Sequence, residues 1–189
     1  DYLGHVTITP PLNQAEYDSL RLFSRSRRSF RDGGPYAVLP VDPHEEAPTL
    51  HPDAAAERAN RIADGQPGYW CQWVPCPRGC CLSWDGHEKF YAGGPWLQYL
   101  IDHFLRPGGL AQTIGDGWFR RFTFDHDVNG VLVGEQGDNR ELFLLAVEHG
   151  DVVRTTLRRG QAMPWDAGYV EKDEPPWLAY EASFEELER

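Results

Sequence analysis

Between Trp96 and Leu105 the apolar residues Leu97, Leu100, Ile101, Phe104 and Leu105 fall at i, i+3, i+4, i+7 and i+8. Such a stripe reads as an amphipathic helix with one face on a core, and the rest of the fold has to supply that core. Pro95 sits where first-turn prolines belong, Pro107-Gly108-Gly109 stops the helix, and Arg106 suits its negative pole. Asp102 and His103 lie off the stripe and are expected to face solvent.

The segment before this helix carries strand signals. Tyr69 to Val74 is aromatic and β-branched on both alternating faces. Pro75, Pro77 and Arg78-Gly79 then reverse the chain, which returns through Cys81 to Trp84 and ends at Asp85-Gly86. The expected unit is a hairpin with a cysteine-bearing tip, followed by the helix.

Toward the N-terminus, Gly4 to Thr9 alternates into a short strand that Pro10-Pro11 ends. Asn13 then reads as an N-cap, Glu16 as its capping-box partner, and Leu12 with Tyr17 as a hydrophobic staple. The spacing predicts a helix to Phe23 or Arg27 that buries Tyr17, Leu20 and Phe23. Residues 31–67 are rich in Pro, Gly, Asp and Ala and read as a long loop or insertion, with one helix near Ala54 to Ile62. Strands are expected at Trp118 to Phe124, Val128 to Glu135, Glu141 to Val147 and Val152 to Leu157. Residues 161–189 read as an acidic, Pro-containing tail, with a short helix expected over Trp177 to Leu187.

This order predicts an α+β domain over residues 1–160: a mostly antiparallel sheet, two main helices on one face, and a ferredoxin-like βαββαβ core with added strands. Hydrophobic residues at 41% of a 189-residue chain are enough for one buried core. A formal charge of −11 argues against general nucleic-acid binding, which needs many Lys and Arg contacts to phosphate. No run approaches a membrane span, so the expectation is a soluble, cytoplasmic protein that binds no membrane.

The pattern GQPGYWCQWVP, WDGHEKFY, WLQYLIDHFL and FDHDVNG, entered through GHVTITPPLN, resembles a group of small uncharacterised proteins of actinobacteria and their phages. The resemblance implies a shared fold and no particular reaction. Members of that group read WDGGEKF where this chain has WDGHEKF, so the likeness lends His87 no catalytic role. Cys71 matches the pattern, whereas Cys76, Cys80 and Cys81 are particular to this chain.

Three sets of residues carry candidate chemistry. Cys71, Cys76, Cys80 and Cys81 are dense enough to raise a zinc site or a Cys76 disulfide to Cys80 or Cys81. Adjacent cysteines on a strand point to opposite faces, however, so free thiols are the plainer expectation and no cofactor is predicted. Asp85, His87 and Glu88 cluster in a turn, and Asp125, His126 and Asp127 form a second polar group. Asp85, His87, Asp125 and His126 converging in one cleft would make an acid–base or metal site, the enzymatic alternative. Arg25, Arg27 and Arg28 make an exposed basic patch, and Trp73, Trp84 and Trp96 an aromatic region. Trp70, Trp73, Trp84 and Trp96 are expected to be buried, with the aromatic region able to serve recognition where it reaches the surface. The leading expectation is a non-enzymatic interaction or regulatory domain with a protein partner, reached through the aromatic hairpin, the Arg patch or the acidic tail. An acidic mimic of DNA is the third reading, and it requires acids at phosphate-like spacing.

Overall fold

A computed structural model describes residues 1–30, 33–38, 60–114 and 117–161. In chain order the elements are β1 (Tyr2–Thr9), α1 (Gln14–Arg25), β2 (Trp73–Pro75), β3 (Cys81–Trp84), α2 (Gly93–Leu100), β4 (Asp127–Glu135), β5 (Leu142–Glu148) and β6 (Asp151–Arg158). The strands form one six-stranded antiparallel sheet in the order β2-β3-β1-β4-β5-β6.

The α+β class stands, as one antiparallel sheet with two helices. Strands β1 and β2, joined through α1, are both antiparallel to β3 and so run parallel to each other on either side of it, with β5 and β6 added beyond β4. Strand β1 lies between β3 and β4 and is antiparallel to both. The hairpin tip explains the placement: Ile8 N donates to Cys80 O at 2.9 Å and Leu12 N to Gly79 O at 3.0 Å. These bonds fold the β2–β3 hairpin back against the exit of β1.

Helix α1 begins as its sequence dictates. Asn13 accepts from the Glu16 backbone N–H at 3.1 Å, and Glu16 accepts from the Asn13 backbone N–H at 2.8 Å. Leu20 and Phe23 are buried, while Tyr17 is only half-buried and Glu16 is fully buried in its place. Along α2 and the turn that follows it the whole predicted stripe is buried, together with Trp96 and Tyr99. Each of those Leu, Ile and Phe side chains removes enough apolar area from water to contribute about 1.5–3 kcal/mol. The core lies between this helix and the inner sheet residues Val6, Ile8, Leu82, Val128, Leu132, Phe143, Leu145 and Val147.

The end of α2 departs from expectation. Residues Ile101–Leu105 form a π turn, closed by Arg106 N donating to Ile101 O at 3.0 Å. This extra residue per turn changes the facing of the last side chains. Asp102 stays half-exposed, held by Gln98 and Arg106, but His103 turns onto the Tyr99 ring, with centroids 3.8 Å apart and Tyr36 hydrogen-bonded to its Nδ1. His103 is therefore packed in an aromatic cluster instead of facing solvent.

Two expected strands are shorter or absent. Pairing in the first hairpin strand starts only at Trp73, so Trp70 lies in the irregular approach and is 47% exposed. Trp118 to Phe124 is not a strand. It holds a 3-10 turn over Phe119–Arg121, with Phe119 and Phe122 packed beside Phe104 and Phe124 against Phe122. The residues that lead into the segment read as a long loop are tied to its described far part: Ser29 bridges Ile62, and Phe30 N donates to Arg61 O at 2.8 Å. The helix expected near Ala54 to Ile62 falls mostly outside the described residues, and the one over Trp177 to Leu187 wholly so.

Gly93 opens α2 directly beneath Tyr2, whose ring is wedged among Trp73, Trp84, Phe90 and Phe143. A methyl group at Gly93 would overlap the Tyr2 hydroxyl and the ring carbon that bears it. Gly93→Ala is expected to lower stability by about 1–3 kcal/mol, as overpacking does, when unfolding is followed in urea.

Candidate functional site

Three regions of the molecule gather groups able to act on something outside the chain. The first is the hairpin tip. Cys76 N donates to Cys81 O at 3.0 Å, Gly79 N donates to Cys76 O at 2.8 Å, and Gly79 takes a φ of +67°. This turn sets Cys80 outside the regular strand, so the rule that adjacent strand residues face opposite ways does not govern Cys80 and Cys81. The thiols of Cys76, Cys80 and Cys81 consequently lie within 4.8 Å of one another, with the Cys76 and Cys80 sulfurs 3.6 Å apart. Burial works against the Cys76 thiolate, but hydrogen bonds from Cys81, Cys80 and the Arg78 and Cys80 backbone N–H groups outweigh it and bring the thiol down to about 7. Burial and the neighbouring Cys76 push Cys81 up to about 12. Cys71 is separate from this group, fully buried, and raised to about 12 by that burial. All four cysteines are free thiols.

The second region surrounds His126. Its Nε2 lies 3.1 Å from Glu16 Oε2, and its Nδ1 lies 2.7 Å from the Pro10 carbonyl. Glu16 also accepts from Thr123 N at 2.6 Å and Thr123 Oγ1 at 2.9 Å. Both ionisable side chains are at most 1% exposed. Sequence reasoning placed Glu16 only in the capping box and missed this second role. Its signal was faint: a capping acid that also falls on the buried side of an amphipathic helix. His126 closes one wall of a shallow depression with Arg106, Asp125, Asp127 and His149. Asp127 sits 3.3 Å from the exposed His149 ring, and Asp125 is 56% exposed.

Asp85 and His87 are not part of that depression. Leu82 pairs with Val6 in an antiparallel ladder, so Asp85 emerges near the Leu3 end of β1, whereas Asp127 pairs with Thr9 at the other end. Six residues of strand separate the two groups by about 20 Å. Asp85 instead caps its own turn, accepting from the His87 backbone N–H at 3.0 Å with the His87 ring 3.1 Å away. Glu88 offers its backbone carbonyl to Gln72. The four side chains of the enzymatic alternative are thus not brought together.

The proposed basic patch is also divided. Arg25 is exposed and Arg27 half-buried over the Tyr69 ring, but Arg28 is buried, stacked 4.0 Å from the Phe23 ring and bonded to Gln66 and the Pro35 carbonyl. Trp73 and Trp96 are fully buried and Trp84 half-buried, so the aromatic region is mainly scaffold.

The third region is the outer face of the sheet. Leu3 pairs with Val133 and Val133 with Leu144, while Val131 pairs with Ala146 and Ala146 with Val153. Directly opposed residues share a face, so these six form two adjoining apolar rows across four strands. Leu3, Val131 and Val153 are 77%, 55% and 58% exposed. Sequence reasoning missed this surface, although β4 and β5 carry a legible sign. An antiparallel strand with one solvated face alternates apolar and polar residues, yet Val131-Leu132-Val133 and Leu142 to Val147 are apolar on both.

No protein-family model matches the chain, and neither does any curated protein or solved structure.

Proposed function

We propose that this protein is an interaction domain whose outer sheet face receives an amphipathic, basic-flanked segment of a protein partner. The observation that carries the reading is the pair of apolar rows running from Leu3 and Val131 through β4 and β5 to Val153. Domains that work alone seldom leave large contiguous apolar patches in water, and such patches, rimmed by polar residues, mark binding surfaces. Charge supports the chemistry of the partner through Glu148 at one margin, on a chain of net charge −11, while Asp127 and Asp151 beside it are met by His149 and Arg106. Acids elsewhere support the DNA-mimic reading poorly, because Glu135 and Glu141 are engaged by Arg140, Arg154 and Arg158 instead of forming a free row.

A photo-crosslinking residue at Val131 tests this in the source cells, with one at the exposed His87 as control. The expected product is a single heterologous adduct from position 131 that peptide mapping assigns to an apolar segment flanked by Lys or Arg. That segment, made as a peptide, is expected to bind the purified protein and to lose at least about tenfold in affinity on Val131→Lys, the effect of roughly 1.4 kcal/mol. Adducts only to a second copy, or only to residues 162–189 of the same chain, would overturn the reading.

A further inference from the structure

We propose that Cys76, Cys80 and Cys81 form a three-thiolate site for a monovalent soft metal ion, Cu(I), at the tip of the β2–β3 hairpin. The inference is independent of the partner surface, since the tip lies at the other edge of the sheet from β6.

The geometry is that of a preorganised donor set. Three sulfurs within 4.8 Å can all reach one ion, and the backbone that carries them is fixed on both sides. Inside the hairpin, the Gly79–Cys76 and Cys76–Cys81 bonds close the turn. Outside it, Ile8 and Leu12 bond the carbonyls of Cys80 and Gly79, so the tip is anchored to the end of β1. Gly79 is required there, because its φ is +67° and a Cβ would meet the Leu12 carbonyl at 3.0 Å. All three cysteines are partly exposed, which leaves an entry path, whereas the buried Cys71 has none.

The donor count selects the ion. Thiolates favour soft cations, and Cu(I) and Zn(II) are the common ones. Zinc is almost always four-coordinate in structural sites. Among the described residues no histidine, carboxylate or fourth cysteine joins the three sulfurs. A three-donor, all-sulfur set is complete for Cu(I) and one ligand short for zinc. Binding changes no oxidation state: the ion enters as Cu(I), and the thiol protons leave to solvent.

The test is anaerobic titration of the reduced full-length chain with Cu(I) against a chromophoric Cu(I) chelator, with X-ray absorption of the 1:1 product. The expected result is one Cu(I) per chain with three sulfur neighbours. Cys80→Ser and Cys81→Ser, each confirmed folded by circular dichroism, are expected to weaken binding by more than the roughly 100-fold that loss of an outer-shell partner costs. Cys71→Ser is expected to leave affinity unchanged. Gly79→Ala keeps every sulfur but disturbs the turn, and is expected to weaken binding by about tenfold. Equal affinity in wild type and both serine variants, a two-sulfur spectrum, or displacement of Cu(I) by equimolar Zn(II) would each overturn the proposal.

Discussion

Glu16→Ala is expected to cost about 3–5 kcal/mol of folding free energy in urea denaturation, because it leaves several buried donors and the His126 ring without their acceptor. Glu16 accepts four hydrogen bonds, from Asn13, both donors of Thr123 and His126, at the point where α1 meets the chain entering β4. Those bonds fix its charge. Burial would raise the carboxyl, but the bonds from His126, Thr123 and Asn13 outweigh it and hold the group near 2 against an ordinary 4.5. For His126, burial acts downward, and the bonds to Glu16 and the Pro10 carbonyl carry it above its ordinary 6.5. Glu16 is depressed on folding, so its contribution is complete above 4.5 and lost as pH falls toward 2. His126 is raised, so its contribution is complete below 6.5 and lost as pH climbs through its folded value. Stability from the pair is therefore greatest between 4.5 and 6.5. Glu16→Gln should flatten both limbs in a series of denaturation curves from about pH 2 to about pH 9. Retention of the wild-type slope on both sides would show that the pair does not couple to folding.

The parts of this fold legible in the sequence are those set by local spacing. The stripe along α2 and the turn that follows it, the Asn13–Glu16 box and the strands β4 to β6 each depend on residues within a turn or two of one another, and each is present. What sequence could not give are pairings that depend on where distant segments meet. Arg28 reads as the end of a solvated helix until Gln66 and Pro35 arrive beside it and cover its guanidinium. His103 reads as exposed until a single π turn rotates it onto Tyr99. The cysteines show the same limit in reverse. An alternation argument separated Cys80 from Cys81, and one left-handed glycine at position 79 removed the premise by ending the alternation before Cys81. The outer sheet face was readable in principle, since doubly apolar strands in an antiparallel sheet imply that something covers the second side.

Trp73→Ala is expected to be as damaging as Glu16→Ala, at about 3–5 kcal/mol, and to act through folding instead of recognition. The indole is fully buried where three elements meet. Its ring takes the edges of Tyr2 and Phe90 at 5.1 and 5.4 Å, and its Nε1 donates to the Gly93 carbonyl at the start of α2 at 2.7 Å. The Trp73 carbonyl in turn accepts from Ser24 Oγ of α1 at 2.6 Å. Truncation would open a cavity bounded by rings, and rings wedged edge to face relax poorly into a void. Trp73→Phe separates the two contributions: it keeps most of the volume and removes the indole donor, so a loss nearer about 1–2 kcal/mol is expected, the size of one hydrogen bond with a small packing defect. The surface reading makes the opposite demand. A recognition residue would lose partner binding at unchanged stability, and that outcome for Trp73→Ala would move the interface from the outer sheet face back to the aromatic hairpin.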